Sequence, residues 1–240
     1  MRTIRTEGPA AVQVLAERLG VSHATIRRDL VQLDKEGRLT RVHGGAISAD
    51  DTDDPFAEVA MVRVEDKDAV AASCAELIKD GEAILLDIGT TAHRLARKLH
   101  GRSLTVITSN LMVYEELKDD EDIQIVLLGG IVRRSYHSLV GFLTEDNLRQ
   151  IHADRLFLGT SGVRPGGQVM DTTSVEIPLK RAMIAASDQV VLLADAGKFP
   201  GTGIGRVCGP EDLDVVVTNT RADQATCAAL REAKVEVIEV

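Results

Sequence analysis

Residues 12–46 constrain this chain more than any other stretch of its sequence. The apolar spacing i, i+3, i+4, i+7 of one helix face is present at Val12, Leu15, Ala16 and Leu19. Gly20 comes next, and a residue without a Cβ atom readily takes the left-handed conformation that ends a helix. The pattern predicts a helix with a buried apolar stripe, followed at once by a tight turn.

A second helix is predicted directly after this turn. Ser22 is suited to be its N-cap, because a serine hydroxyl accepts hydrogen bonds from the backbone N–H groups of the first turn. At about 100° per residue, the core face carries Ile26, Leu30 and Leu33. The opposite face carries small, hydroxylic, amide and guanidinium side chains, namely Ala24, Thr25, Arg28 and Gln32, with Arg27 on its flank.

These side-chain types suit a helix that lies in the major groove of DNA. An arginine can donate two hydrogen bonds to guanine, a glutamine can recognise adenine, and a threonine methyl can contact thymine. Two helices joined by a short Gly-containing turn form the helix-turn-helix motif. The alternative is an ordinary helical hairpin, and for Arg27 and Arg28 alone the two interpretations are equally good, because exposed arginine pairs are common.

The residues after this helix favour DNA over the helical hairpin. Side chains alternate from Leu39 to His43 and two glycines follow, which predicts a short hairpin, or wing. The wing would place Arg41 and His43 near the phosphate backbone or the minor groove. We therefore predict double-stranded operator DNA as a partner, contacted by Ser22, His23, Ala24, Thr25, Arg27, Arg28, Gln32, Arg41 and His43.

Charge is unevenly distributed along the 240 residues, whose formal net charge is −9. Residues 1–49 carry 8 Lys and Arg against 5 Asp and Glu, whereas residues 50–240 carry 20 against 32. A basic head on an acidic body confines nucleic-acid contact to one end. The distribution excludes a protein that coats nucleic acid along its whole length.

The cysteine content and the hydropathy limit the chemistry and the cellular compartment that this chain can have. Cys74, Cys208 and Cys227 are odd in number and widely spaced, which indicates reduced thiols and no metal site. Neither a P-loop nor a full dinucleotide fingerprint is present, so we expect no cofactor. No apolar run is long enough to span a membrane, and no signal peptide is recognisable at the N-terminus. We expect a cytoplasmic protein without a membrane contact.

Short apolar strands and helices alternate from residue 67 onwards. Strands are predicted at 83–86, 104–107, 123–128, 155–158, 190–194, 215–218 and 235–238, and helices at 92–99, 111–117, 174–186 and 223–233. Strands that are apolar throughout and separated by helices indicate a parallel sheet covered on both faces. The predicted organisation is a winged helix-turn-helix (1–48), an acidic linker (49–66) and a parallel α/β domain (67–240).

Small or polar residues follow several of these strands. In an open α/β sheet ligands bind at the carboxyl ends of the strands, where Asp87 and Asp195 can accept sugar hydroxyls and Lys180 and Lys198 can pair with a phosphate. Taken singly, each feature has an ordinary alternative. A Gly-Thr turn is more often just a helix cap, an ordinary surface lysine is an equally good interpretation of Lys198, and Glu176 with Lys180 at i, i+4 is most often a surface ion pair. The convergence of five polar strand ends favours a ligand pocket.

The sequence LAERLGVSHATIRRDLVQLDKEGRLTRVHGGA resembles the signature of the DeoR family of bacterial transcriptional regulators. The resemblance continues in LIKDGEAILLDIGTTAHRLARKL, LTVITSN and VEIPLKRAMIAASDQVVLLADAGKF, which are similar to the DeoR-type sensor domain. That domain resembles ribose-5-phosphate isomerase in fold, and its ligands are typically phosphorylated sugars or related intermediates.

The resemblance implies an effector site. It assigns the phosphate end of the effector to Gly89, Thr90, Thr91, Thr108, Ser109 and Asn110. It surrounds the sugar with Asp87, Glu176, Lys180, Asp195 and Lys198, and the strand end Gly129-Gly130 completes the candidate set.

The leading hypothesis is a ligand-controlled regulator, a repressor of a sugar-catabolic operon that is not an enzyme and has no catalytic residues. It is expected to be a homo-oligomer, since one small DNA-binding module buries too little surface for high specificity. The alternative is a sugar-phosphate isomerase-like enzyme that carries a DNA-binding head, with Glu176 and Lys180 as its acid–base pair. A third possibility is a DNA-binding scaffold without a ligand. The basic head has no role in an isomerase, which favours the regulator.

Overall fold

The computed structural model describes residues 10–11, 15–16, 19–35, 39–42, 45–48 and 56–240. The chain divides into two units, one comprising Met1–Asp53 with Thr173–Val175 and the other comprising Asp54–Thr172 with Glu176–Val240.

The N-terminal unit contains the predicted helix-turn-helix and hairpin. Residues 15, 16 and 19 are helical, Gly20 has φ +66°, and helix α1 (His23–Lys35) follows the turn. The strands are β1 (Ala10–Ala11), β2 (Leu39–Val42) and β3 (Gly45–Ser48), in the antiparallel order β1-β3-β2. Val42 is paired with Gly45, so β2 and β3 form a tight hairpin, as predicted for the wing.

The apolar stripe of the first helix is shorter than predicted. Leu15 and Ala16 are buried, as are Ile26 and Leu30 on α1, but the side chain of Leu19 is 56% exposed. Leu19 directly precedes the turn at Gly20, where the chain reverses and leaves this side chain outside the buried cluster. Its assignment to the core was therefore wrong, and Val12, the remaining member of the stripe, lies outside the described residues.

The second unit is built from alternating strands and helices. Its strands are β4 (Ala83–Leu86), β5 (Leu104–Thr108), β6 (Ile123–Leu127), β7 (Ile131–Arg133), β8 (Ser138–Val140), β9 (Ala153–Gly159), β10 (Gly162–Val163), β11 (Val169–Asp171), β12 (Ser187–Leu193), β13 (Gly205–Cys208), β14 (Val215–Thr218) and β15 (Glu236–Glu239). Its helices are α2 (Phe56–Met61), α3 (Val64–Leu77), α4 (Thr90–Ala96), α5 (Leu111–Leu117), α6 (Phe142–Leu148), α7 (Ile177–Ala185) and α8 (Gln224–Glu232).

Seven strands form one parallel sheet, in the order β15-β14-β12-β9-β4-β5-β6. From β4 the chain adds strands on one side, and from β9 onwards it adds them on the other. The strand order therefore reverses between β4 and β9. In open α/β sheets the crevice outside the carboxyl ends at such a reversal is the usual ligand site.

A continuous hydrophobic core explains why β4 is apolar throughout. Ile84, Leu85 and Leu86 of β4 are completely buried, and Cys74 of α3 and Leu95 of α4 belong to the same core cluster as Ile84. Because the central strands are covered on both faces, they carry no alternating polar side chains. The predicted parallel α/β architecture is confirmed.

Several elements differ from the sequence prediction. Helix α7 begins at Ile177 rather than at 174, with Glu176 as its N-cap and a proline in its first turn, a position that proline favours. The hairpin β7–β8 and the small sheet β10-β11-β13 were missed, because strands of two to four residues have no readable periodicity. Helix α6 was missed as well.

Two further observations concern the described part of the chain. Its three cysteines are all buried and free. Across the residues that the structure describes, no helix combines the length and the apolar character that crossing a membrane requires.

Candidate functional sites

The reversal of strand order is bridged by the carboxylate of Asp87, which directly follows β4. Its Oδ2 atom accepts a hydrogen bond from the backbone N of Gly159, at the end of β9, at 2.8 Å, and another from Nζ of Lys180 on α7. A Cβ atom on residue 159 would lie 3.1 Å from the carbonyl oxygen of Ile88, so glycine allows the two strand ends to approach. Three separate elements thus meet at one buried carboxylate.

Lys180 is buried and lies between two carboxylates. Its Nζ also donates to the carbonyl oxygen of Gly159 at 3.1 Å and lies 3.6 Å from Oδ2 of Asp171. Burial alone lowers the pKa of this ammonium, but Asp87 and Asp171 outweigh it and raise the pKa above its usual value. Oδ1 of Asp87 is buried and has no hydrogen-bond partner within the described chain, so its capacity to accept hydrogen bonds is unused there.

The segment 108–110 is tied to the turn that follows β4. Oγ1 of Thr108 donates to the carbonyl oxygen of Leu86 at 2.8 Å, and Nδ2 of Asn110 donates to that of Gly89 at 3.3 Å. Oδ1 of Asn110 caps α5 by accepting from the backbone N of Met112 at 2.9 Å. Thr108 and Asn110 therefore hold the turn in place, whereas the buried Ser109 hydroxyl has no partner in the described structure.

The turn at Gly89 has room around it. Gly89 has φ +113°, and no atom lies within 4 Å of the place that a Cβ would occupy, so the constraint here is the backbone conformation. Thr90 is buried and Thr91 is half-buried at the start of α4. The structure thus brings the Gly89–Thr91 turn and the 108–110 segment together, as the sequence pattern predicts for neighbouring strand ends.

Gly129 and Gly130 take part in helix packing. The backbone N of Gly129 donates to Oδ1 of Asn147 at 3.0 Å, and its carbonyl oxygen accepts from Oγ1 of Thr144 at 2.8 Å. A Cβ on Gly130 would overlap the Thr144 hydroxyl. The glycines thus permit α6 to lie against the end of β6.

Glu176 and Lys180 do not form a surface ion pair. Both side chains are buried, and the carboxylate of Glu176 pairs with the guanidinium of Arg133 on β7, while Lys180 pairs with Asp87. The ordinary surface interpretation was therefore wrong, because each charge has a buried partner elsewhere in the sequence. Arg133 also lies over the ring of Tyr136, 5.3 Å from its centroid.

Asp195 and Lys198 lie at the end of β12, beside cations that the sequence analysis missed. Oδ1 of Asp195 accepts from the backbone N of Gly197 at 2.9 Å and lies 3.8 Å from Nε of Arg63. The buried Lys67 side chain interacts electrostatically with Asp195, Lys198 and Arg63. Its pKa is lowered to about 8, mainly by burial and in part by Lys198, Arg94 and Arg63, while Asp195 opposes the shift.

Lys67 and Arg94 gave no sequence signal. Charged residues on amphipathic helices are usually solvated, and nothing in their local spacing distinguishes these two from their neighbours. Among the described residues, no group of three or more His, Cys, Asp or Glu side chains is placed to hold a metal ion.

The N-terminal unit presents most of the predicted DNA-contacting side chains on one helix. Oγ of Ser22 accepts from the backbone N of Thr25 at 3.1 Å, which confirms the predicted cap. Thr25 is half-buried, and the exposed members are Ser22, His23, Ala24, Arg27, Arg28 and Gln32. Arg41 lies in β2 but its side chain lies outside the described structure, as does the whole of His43.

Two family models match the chain. The model "DeoR-like helix-turn-helix domain" matches residues 1–52, and "DeoR C terminal sensor domain" matches residues 62–220. The chain is 34% identical over 231 residues to the uncharacterized HTH-type transcriptional regulator YulB of Bacillus subtilis, covering 95% of this chain and 90% of that protein. It is 32% identical over 218 residues to the glycerol-3-phosphate regulon repressor of Escherichia coli, covering 90% and 86%.

Comparison with solved structures gives matches at low sequence identity. The tetrameric eIF2B-beta2-delta2 complex from C. thermophilum matches with a TM-score of 0.50 and 15% identity, over 71% of this chain and 61% of that chain. Ribose 5-phosphate isomerase A from Methanocaldococcus jannaschii matches with a TM-score of 0.41 and 20% identity, over 55% and 52%. The match therefore spans about half of the isomerase chain.

A helix-turn-helix unit followed by a parallel α/β sensor domain defines a DNA-binding transcriptional regulator. The two family models together cover most of the sequence, and relatives above 30% identity extend along nearly all of it. The chain belongs to the DeoR family of transcriptional regulators.

Proposed function

We propose that this chain represses a sugar-catabolic operon under the control of a phosphorylated sugar or a closely related metabolite. One observation carries the proposal. Asp87, Lys180 and Gly159 form a buried hydrogen-bonded cluster where the strand order reverses. Oδ1 of Asp87, which has no hydrogen-bond partner in the described chain, and the neighbouring turn at Gly89, which has room around it, suit a polyhydroxylated ligand. The relatives named as repressors, among them the glycerol-3-phosphate regulon repressor, support this class of effector.

In this proposal the effector lies across the carboxyl ends of the central strands. Asp87, Lys180, Glu176 and Asp195 surround its hydroxyl groups, and Lys198 contributes positive charge. The phosphate end is held by Gly89, Thr90, Thr91, Thr108, Ser109 and Asn110, with Gly129 and Gly130 shaping the neighbouring strand end. We propose the predicted residues on α1 and on the hairpin as the operator contacts, with two or more copies of the chain acting together.

We also propose that the site binds without catalysing a reaction. A general base needs a pKa near the working pH, whereas Lys180 is held in its charged form by Asp87 and Asp171. Glu176 is neutralised by Arg133 rather than poised beside Lys180. These pairings disfavour the isomerase alternative.

Fluorescence anisotropy on the promoter DNA upstream of the chain's own gene tests this function. We expect tight, salt-sensitive binding that one compound in a panel of sugar phosphates modulates, and no binding to a scrambled duplex of equal length. If the protein binds the DNA but no compound alters the affinity, the proposal of a sugar-phosphate effector is refuted and the chain is a DNA-binding scaffold. Turnover of a pentose or hexose phosphate by the purified protein would support the isomerase instead.

A further inference from the structure

Helix α2 (Phe56–Met61) lies within residues 49–66, which the sequence predicts as an acidic linker, and cations hold its C-terminal end. The carbonyl oxygen of Val59 accepts a hydrogen bond from Nζ of Lys67 at 2.6 Å. The next carbonyl, that of Ala60, accepts from Nη2 of Arg94 at 2.9 Å. The last carbonyls of a helix lack partners within the helix and carry partial negative charge, so cations stabilise them.

The other end of α2 is held by aromatic packing. The backbone N of Phe56 donates to the carbonyl oxygen of Ser135 at 3.1 Å, and its buried ring lies against three others. Its ring centroid lies 6.0 Å from that of His93, 5.8 Å from that of Tyr136 and 5.9 Å from that of His137. Helix α2 is thus anchored at its start, and its C-terminal turn depends on Lys67 and Arg94.

These two cations also belong to the charge cluster beside the proposed effector site. Arg63, Arg94 and Lys198 each act electrostatically on Lys67, and Asp195, which lies 3.8 Å from Nε of Arg63, supplies an opposing charge. Asp68 pairs with Arg94 at 2.7 Å, yet Nε of Arg94 is buried without a hydrogen-bond partner in the described structure. Positive charge is therefore in excess here, and an anion bound in the neighbouring effector site would relieve it.

We propose that Lys67 and Arg94 transmit occupancy of the effector site to α2, because a bound phosphate group strengthens the hydrogen bonds from these cations to Val59 and Ala60. This inference rests on the proposed effector site and adds a route by which occupancy reaches the stretch that the sequence predicts as the linker. A charged donor makes a stronger hydrogen bond than a neutral amine, and a nearby anion favours the charged form of Lys67.

Hydrogen exchange of the α2 amides, measured by mass spectrometry on the full chain, tests the coupling. The probe is inorganic phosphate, compared with potassium chloride at equal ionic strength. At about pH 9, above the Lys67 pKa of about 8, we expect saturating phosphate to slow exchange of residues 56–62 by about fivefold. At about pH 7 we expect a smaller effect, because Lys67 is already largely charged.

Variants separate a coupling role from simple stabilisation. Lys67→Met and Arg94→Gln should still bind phosphate in calorimetry at high concentration, but the α2 amides should lose most of their response. The exposed neighbours provide matched controls, since Lys98→Met and Arg97→Gln should respond as the unaltered chain does. Arg94→Gln keeps a donor for Ala60, so it remains informative if Lys67→Met fails to fold.

The outcomes distinguish the coupling from the effector site itself. Phosphate binding without slower α2 exchange would overturn the coupling and leave the proposed function standing. An unchanged response in both Lys67→Met and Arg94→Gln would also overturn it. If neither phosphate nor any sugar phosphate binds the unaltered chain, both the proposed effector site and the coupling are refuted.

Discussion

Asp87 and Lys180 form a buried ion pair although 93 positions separate them in the sequence. The pair joins the end of β4 to α7, and Asp171 lies on the other side of the same ammonium. Its position at the reversal of strand order means that one contact contributes to both the stability of the sheet and the shape of the proposed site.

Removing the ammonium should be costly for folding. Lys180→Met leaves Asp87 and Asp171 buried without their counter-charge, so we expect the free energy of unfolding to fall by about 3–5 kcal/mol. Urea denaturation at neutral pH measures the loss. The exposed Lys79→Met is the control, and adding Asp87→Asn to Lys180→Met should restore part of the stability. A loss below about 1 kcal/mol would contradict a buried, charged pair.

The lowered pKa of Lys67 predicts a pH-dependent stability. Between its folded pKa of about 8 and its unfolded value of 10.5 the unfolded chain binds more protons at this side chain, so folding stability rises with pH. Relative to Lys67→Met, the unaltered chain should gain up to about 1.4 kcal/mol per pH unit within this window. Paired urea titrations from neutral pH to about pH 10 measure the difference. A constant difference would show that Lys67 titrates normally.

Arg28 should contribute to operator affinity and to base preference. It is exposed on α1, on the face opposite the buried Ile26 and Leu30, so Arg28→Ala should weaken binding by about 1–3 kcal/mol. Anisotropy titrations on operators with single base changes separate the two contributions. Loss of discrimination at one base pair would assign Arg28 to a base edge, whereas uniform loss on all sequences would assign it to a phosphate. Unchanged affinity on every operator would remove Arg28 from the interface.

Lys198 should be needed for the response to the effector. It lies half-buried beside Asp195, where its charge can pair with an anionic ligand, so Lys198→Ala should abolish the effect of a sugar phosphate on operator binding. The readout is the change in operator affinity on adding the effector, with Lys234→Ala on the exposed loop after α8 as the control. An intact response in Lys198→Ala would show that Lys198 lies outside the effector site.

The regular elements follow from local sequence because each is encoded by its own apolar pattern. The predicted bounds of β4, β14 and α5 agree with the structure at both ends, since a polar strand end or an Asn cap marks each boundary. The wing hairpin was equally readable, because its two glycines follow directly after alternating side chains.

The partners of the buried charges were not readable from the sequence. Arg133 and Glu176 are 43 positions apart, and Arg94 reaches Ala60 across 34 positions, so no local spacing relates them. Glu176 and Lys180 illustrate the opposite error. Their i, i+4 spacing indicates an ion pair, but burial and stronger partners elsewhere separate the two charges.

The reversal of strand order bears on how regulators of this kind can diverge. The proposed effector contacts lie mainly on turns beyond the ends of strands, where substitutions leave the backbone pairing of the sheet intact. The predicted DNA contacts all come from the first 48 residues, which belong to a different unit. Selection can therefore change the metabolite that is sensed while the controlled genes stay the same, or reassign the genes while the sensed metabolite stays the same.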